Sequence, residues 1–326
     1  MIFQCENCGG NVVYDPEKKE MHCLYCNSSN SEAEKTGTGL VCAGCGGELP
    51  AGDFVSACKC SYCGSYNIIE ERVQGEYTPH LVLPFRFGKK AAKEKIIDQF
   101  KKKRFLPSTF LNDAYLEKME GNYVPFFLYD YLCRYHFNGT GKKVRVWVSG
   151  STEYTETSLY NVERNMDVDF SKIPVDASIR MEDGMMDLLE PYDYQALEAF
   201  QEKYLSGYLA ERFSIDAGEL SLRAKEKAES DVKQMAKNTM GGYQSIHTNY
   251  EQTDFDLKDT KYSLLPVWSY IYHYGEKKYC FHLNGQTGKL VGEAPISYKK
   301  VGAYSGTVFV GLFIIFYLIS MILEVF

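Results

Sequence analysis

Eight of the eleven cysteines in this chain belong to one spacing used twice. Cys5-x2-Cys8, a gap of 14 residues and Cys23-x2-Cys26 recur 37 positions later as Cys42-x2-Cys45, the same gap and Cys60-x2-Cys63. Two thiolates separated by two residues can grip one ion from a single tight turn, and two such pairs complete a tetrahedron. Each unit therefore predicts one zinc site, the first held by Cys5, Cys8, Cys23 and Cys26, the second by Cys42, Cys45, Cys60 and Cys63. Four sulfurs leave no open position for water, so these zinc ions are predicted to be structural and not Lewis acids.

The repeat extends beyond sulfur. Gly9-Gly10 aligns with Gly46-Gly47, Tyr25 with Tyr62, Ser28 with Ser65 and Asn30 with Asn67. Disulfides are the alternative, but Met1-Ile-Phe-Gln has neither the basic start nor the apolar run of a secretory leader. Register decides between Cys58 and Cys60, since only Cys60 lies 37 residues after Cys23. Cys58 is then a spare thiol. Cys133 and Cys280 lie in Tyr-rich apolar segments, where a small buried thiol is the expected role.

The far end of the chain sets the compartment. Val301 to Leu323 is a run of 23 uncharged residues, and as a helix it would span about 34 Å against a hydrocarbon core of about 30 Å. Lys299 and Lys300 precede it, and the positive-inside rule then keeps the N-terminal body in the cytoplasm. The chain reads as a single-pass, tail-anchored protein of the cell membrane. The alternative is a buried core helix.

Between ribbons and anchor, about 225 residues can build a core of their own. Lys89 to Lys103 predicts a helix with Ile96, Ile97 and Phe100 inward, and Asp193 to Phe213 a second through Leu197, Phe200, Tyr204 and Tyr208. A third starts at an Asp216/Glu219 capping box, with Leu220, Ala224, Ala228, Val232 and Met235 as its apolar stripe. Pro125, Phe127, Tyr129 and Tyr131 alternate as half-buried strands do, as do Pro266, Trp268, Tyr270 and Tyr272. Each is followed by an Asn-Gly turn signal, Asn138-Gly139 and Asn284-Gly285. The expected fold is α+β: two N-terminal four-cysteine ribbons (1–34 and 38–72), an antiparallel sheet packed by helices (77–299) and a transmembrane helix (301–326). Ser28 to Gly39 reads as a polar spacer between the ribbons, and Glu70 to Thr78 as a charged joint.

With these segments in place, the chain resembles bacterial membrane proteins containing TFIIB-type zinc ribbons. The likeness rests on the paired ribbons, Ile173-Pro-Val-Asp-Ala-Ser178, Leu264-Leu-Pro-Val-Trp268, Asn284-Gly-Gln-Thr-Gly-Lys289 and the Pro295-to-Lys300 approach to the anchor. Such proteins are sometimes named after primosomal protein N-prime, the replication-restart helicase. That label implies an ATPase, yet Gly139-Thr-Gly-Lys-Lys and Gly285-Gln-Thr-Gly-Lys-Leu have the wrong glycine spacing for a phosphate loop. The resemblance implies a membrane-associated, non-catalytic role, in some relatives beside phage-shock protein A-like or flotillin-like proteins.

Charge selects among ribbon functions. Residues 1–72 carry five basic and ten acidic side chains, a balance of −5, and two four-thiolate zinc sites bring it to about −9. Phosphate backbones are repelled by such a surface, so a cytosolic or membrane-associated protein partner is favoured over nucleic acid, which stays as the alternative. Lys89 to Arg104 is the opposite, with eight basic residues against Glu94 and Asp98. Near a membrane such a segment binds anionic lipid; away from one it is a solvated face. The histidines at 22, 80, 136, 247, 273 and 282 are scattered, and no catalytic motif appears. Asp167, Asp169, Asp176, Glu182, Asp183 and Asp187 read as a solvated acidic surface. The sequence thus predicts a non-enzymatic, membrane-anchored zinc-ribbon adaptor.

Overall fold

The computed structural model describes residues 1–29, 34–37 and 39–325, with the backbone alone for 34 and 322–325. Asn30 and residues 31–33 and 38 of the expected spacer between the ribbons lie outside the described residues. In the first ribbon β1 (Ile2–Gln4) leads into the first cysteine pair. β2 (Val12–Asp15) and β3 (Glu20–Cys23) then form an antiparallel hairpin, and β4 (Glu34–Thr36) pairs with β1. In the second ribbon β5 (Val55–Lys59) and β6 (Tyr66–Ile68) pair antiparallel on either side of Cys60 to Cys63.

The body begins with β7 (Leu81–Val82), α1 (Lys89–Phe100) and the single turn α2 (Asp113–Leu116). Two long strands follow, β8 (Glu120–Ser149) and β9 (Thr152–Asp176), then α3 (Asp183–Leu189) and the short β10 (Glu198–Ala199) and β11 (Leu209–Glu211). After α4 (Ala217–Thr239) come β12 (Ser245–Tyr274), β13 (Lys277–Asn284), β14 (Leu290–Val291) and finally α5 (Tyr298–Val325). The fold is α+β. Its ten-stranded sheet runs β10-β7-β12-β8-β11-β5-β6, with β9 on β8 and β13-β14 on β12. Most pairs are antiparallel; β11 with β8 and β7 with β12 are parallel. The sheet crosses the boundary near residue 72 and takes in both strands of the second ribbon.

The alternating aromatics pack as strands require. Tyr129 and Tyr131 on β8 and Trp268, Tyr270 and Tyr272 on β12 are buried on one face. There Phe85 stacks on Tyr208 at 4.3 Å, and Phe110 meets Phe281 at 5.1 Å. α1 closes this core with Ala92, Ile96 and Phe100. α4 buries Leu220, Ala224, Ala228 and Val232 against β8 and β9, as expected. Ala236 completes the stripe, while Met235 is exposed. Asp216 occupies the N-cap position of α4 without a side-chain capping bond.

Two expectations are corrected. Asp193 to Phe213 is not one helix but two 3-10 turns (Tyr194–Ala196 and Glu202–Leu205) with β10 and β11. The reason is tertiary: the first ribbon presses on this segment, so Tyr14 N–H donates to the Ser206 carbonyl at 2.9 Å. Gly207 takes φ +96° where a Cβ would meet Val13 at 2.9 Å. Asn138-Gly139 is not a turn but mid-β8, since β12 comes so close that a Cβ on Gly139 would lie 2.7 Å from the His247 carbonyl oxygen. The hairpin turns instead at Gly150, φ +65°. Asn284-Gly285 does turn, with Asn284 Oδ1 accepting from the Gln286 and Thr287 amides.

α5 is, among the described residues, the helix long and apolar enough to cross a membrane. Its Tyr298–Met321 stretch of 24 residues has no part of its most apolar window buried in the protein.

Candidate metal centres

Both predicted quartets assemble. Cys5, Cys8, Cys23 and Cys26 bring their sulfurs within 4.8 Å of one another, and so do Cys42, Cys45, Cys60 and Cys63. In the first, Cys5 Sγ lies 3.6 Å from Cys26 Sγ and Cys8 Sγ 3.5 Å from Cys23 Sγ; in the second, Cys42 to Cys63 is 3.6 Å and Cys45 to Cys60 is 3.7 Å. Sulfurs placed tetrahedrally about 2.3 Å from one ion stand about 3.8 Å apart. A disulfide would need about 2.05 Å, and all eleven cysteines are free thiols. Each quartet can hold a metal ion.

The local sequence explains the geometry. The cysteine amide at the start of each first knuckle closes its tight turn: Cys5 N–H donates to the Gly10 carbonyl and Cys42 N–H to the Gly47 carbonyl, both at 2.8 Å. Gly9 and Gly46 take φ +69° and +74°, in the left-handed region that glycine tolerates. Gly10 and Gly47 are needed for another reason. A Cβ there would meet the rings of Tyr25 and Tyr62 at 2.5 and 2.6 Å, so each tyrosine lies across the opposite knuckle of its own ribbon. That contact accounts for two of the matched pairs in the repeat.

The matched serines touch sulfur. Ser28 Oγ is 3.3 Å from Cys5 Sγ and 3.1 Å from Cys26 Sγ; Ser65 Oγ is 3.4 Å from Cys42 Sγ and 2.8 Å from Cys63 Sγ. Hydrogen bonding to Ser28 holds the Cys5 thiol down to about 6 and lowers Cys26, and Ser65 does the same for Cys63. A hydroxyl donating to sulfur favours the thiolate, the form that ligates metal. Asn67 locks the second ribbon by accepting from the Ala43 amide at 3.1 Å while its amide group contacts Cys42 Sγ at 3.5 Å.

In each quartet the first and third cysteines are buried and the second and fourth exposed. Cys58 is buried beside the second quartet but is not part of it. Burial raises its thiol, and pushes Cys133 up to about 11, so both are poor nucleophiles. Cys280 is half-buried on β13.

The acidic residues divide. Asp167 and Asp169 lie on β9 opposite Arg134 and Leu132 of β8. Asp176, Asp183 and Asp187 instead converge on Arg223 of α4, each at 2.9 Å, and Lys227 joins Asp187 at 3.0 Å and Glu190 at 2.5 Å. This network clamps α3 and α4 to the end of β9. Sequence reasoning missed it, because its members come from three separated segments. It also missed Asn11, whose side chain accepts from the Tyr66 amide at 3.0 Å and so ties one ribbon to the other. An isolated polar residue beside Gly9-Gly10 carries no signal for that bond.

No protein-family model matches the chain, and no solved structure does. The chain is 32% identical over 333 residues to the uncharacterized protein YdjG of Bacillus subtilis (strain 168), an alignment that covers 98% of each. At that identity over nearly the full length of both, the chain belongs to the same family as YdjG.

Proposed function

We propose that the protein is a membrane-anchored adaptor whose two zinc-loaded ribbons recruit a protein partner at the cytoplasmic face of the cell membrane. The observation that carries this reading is the pairing of closed sulfur sites with exposed apolar side chains. Leu24 and Tyr25 on the first ribbon, and Leu40, Val41 and Tyr62 on the second, stand in solvent; Tyr25 is 70% and Tyr62 76% exposed. Metals with four protein ligands shape a surface and have no free position for substrate, and aromatic side chains on a rigid knuckle are the usual anchors of protein contacts.

Zinc is the ion that a four-thiolate tetrahedron favours. Lys299 and Lys300 at the start of α5 favour a cytoplasmic body by the positive-inside rule. The ribbon balance of −5 before metal disfavours nucleic acid and favours a basic protein surface. The resemblance to TFIIB-type zinc-ribbon membrane proteins points toward phage-shock protein A-like or flotillin-like partners in an envelope-stress complex.

The test is affinity capture of the full-length protein from native membranes, wild type beside a Leu24→Ser/Tyr25→Ser/Tyr62→Ser variant, with metal analysis of both. A specific protein retained by the wild type and lost from the variant, with two zinc ions in each, is the expected result. Gel shifts of the same full-length proteins on single- and double-stranded DNA and RNA supply the opposing outcome. Micromolar binding at physiological salt, with no protein retained, would decide for a membrane-tethered nucleic-acid binder.

A further inference from the structure

The basic segment Lys89 to Arg104 is not one surface. In its first half two lysines are occupied within the body: Lys93 pairs with Asp113 at 2.9 Å and with Glu117 at 2.5 Å, and Lys89 approaches Glu117 at 3.7 Å. Lys95 lies over the Phe87 ring. The second half runs past the end of α1 to the foot of α5. There Ser297 N–H donates to the Phe105 carbonyl at 2.8 Å, Phe105 packs edge-on to Tyr304 at 5.5 Å, and the Arg104 guanidinium sits 4.9 Å from the same ring. These contacts fix Lys101–Arg104 beside the first turns of the membrane-length helix.

Lys101, Lys102, Lys103 and Arg104 are exposed, as are Lys299 and Lys300 on the first turn of α5. Of these six only Lys101 forms an ion pair among the described residues, with Asp98 at 2.6 Å. Ile296 and Tyr298 are exposed on the same approach, the kind of apolar and aromatic residues that settle at the level of lipid headgroups. We propose that Lys101–Arg104 and Lys299–Lys300 form a collar that binds the headgroups of anionic phospholipids and holds the body in a fixed pose on the membrane.

The collar rests on the reading of α5 as a membrane span and goes beyond it. A span alone requires only apolar length, and does not set how the body and helix together tilt against the membrane surface. Six cations around the point where the helix leaves the body attract a negatively charged surface, and the attraction falls off within a Debye length. Lys89 and Lys93 at the start of α1 are held in ion pairs with the body and do not belong to the collar.

The test uses the full-length protein in lipid nanodiscs of phosphatidylcholine alone or with phosphatidylglycerol, read by amide hydrogen exchange over residues 101–106. Exchange should be about tenfold slower in the anionic discs, and the difference should vanish at high salt, as expected of charge attraction to lipid. Lys102→Gln/Lys103→Gln/Lys300→Gln should abolish the slowing while exchange over α4 and the metal content stay unchanged. Inorganic phosphate added to the neutral discs should not reproduce it; if it does, the site takes free anions and the collar is overturned. Equal exchange in both kinds of disc, with the protein inserted, also overturns the collar while leaving the span standing. Failure to insert at all would overturn the span and the collar together.

Discussion

The two ribbons share a spacing, a pair of glycines, a tyrosine and a serine, yet they are built into the molecule differently. The second joins by hydrogen bonds: β5 pairs with β11, and β5 and β6 form the end of the ten-stranded sheet. Its buried sulfurs, with Leu49 and Cys58, make a small apolar cluster of their own. The first ribbon shares no sheet with the body and joins through packing, with single hydrogen bonds such as Tyr14 N–H to the Ser206 carbonyl beside it. Its hairpin is a separate two-stranded sheet, but Met1, Phe3, Cys5, Val12, Tyr14, Met21 and Cys23 belong to the main core, and Tyr14 meets Tyr204 edge-on at 5.0 Å. One four-cysteine group therefore lies against the main core, while the other lies at the edge of a sheet. The repeat keeps the four-cysteine geometry and differs in how each unit docks.

The difference predicts unequal costs. Zinc binding free energy in a ribbon is folding free energy. Cys23→Ser in the full-length protein should lower the thermal midpoint by on the order of 10 °C, a loss of several kcal/mol in a body of this size. Cys60→Ser should cost about half as much, because a satellite cluster can loosen while the main core stays packed. Equal drops, or a larger one for Cys60→Ser, would break the comparison.

A second pair of changes addresses the docking itself. Gly207→Ala places a Cβ against Val13 at a positive φ and should cost about 2 kcal/mol. Asn11→Ala leaves the Tyr66 amide without its acceptor and should cost about 1 kcal/mol. Both are expected to reduce the cooperativity between ribbon and body in thermal unfolding with metal content intact. A loss of zinc from the first site in either variant would show that docking and metal binding are one event.

Much of this was legible in the chain. The cysteine register, the spare Cys58, α1, most of the α4 stripe and the paired aromatic strands follow from spacing and periodicity, which are local properties. What was not legible depends on contacts between distant segments. Leu197, Phe200, Tyr204 and Tyr208 have helical spacing, but the first ribbon bonds to Ser206 and forces Gly207 out of any helix. Asn138-Gly139 has turn chemistry, but pairing on both sides by β9 and β12 keeps it extended. Among the site residues, the two four-cysteine groups were readable from spacing; the roles of Asn11, Gly10 and Gly47 needed the positions of Tyr66, Tyr25 and Tyr62.

Acid titration sharpens the comparison by separating the body's response from that of the ribbons. Burial pushes the Asp176 carboxyl up to about 6, against the pull of Arg223, so between pH 4 and 6 the folded protein holds a proton that the unfolded chain has lost. Stability from this group therefore falls as pH rises, and from pH 7 to 5 the wild type should gain about 1 kcal/mol relative to Asp176→Asn. His282 has the opposite sign. Burial pushes its imidazole down to about 4, so the unfolded chain binds the extra proton. Acidification to pH 5 should cost the wild type about 2 kcal/mol relative to His282→Gln. Thermal midpoints of the two variants at pH 5 and 7 check both directions.

The most direct test of the account is the metal content of the purified full-length protein, wild type beside Cys58→Ser and Cys60→Ser. Two closed quartets predict about two zinc ions per chain in the wild type, about two in Cys58→Ser, where the spare thiol is changed, and about one in Cys60→Ser. A wild type without zinc, or one ion in Cys58→Ser with two in Cys60→Ser, would contradict it.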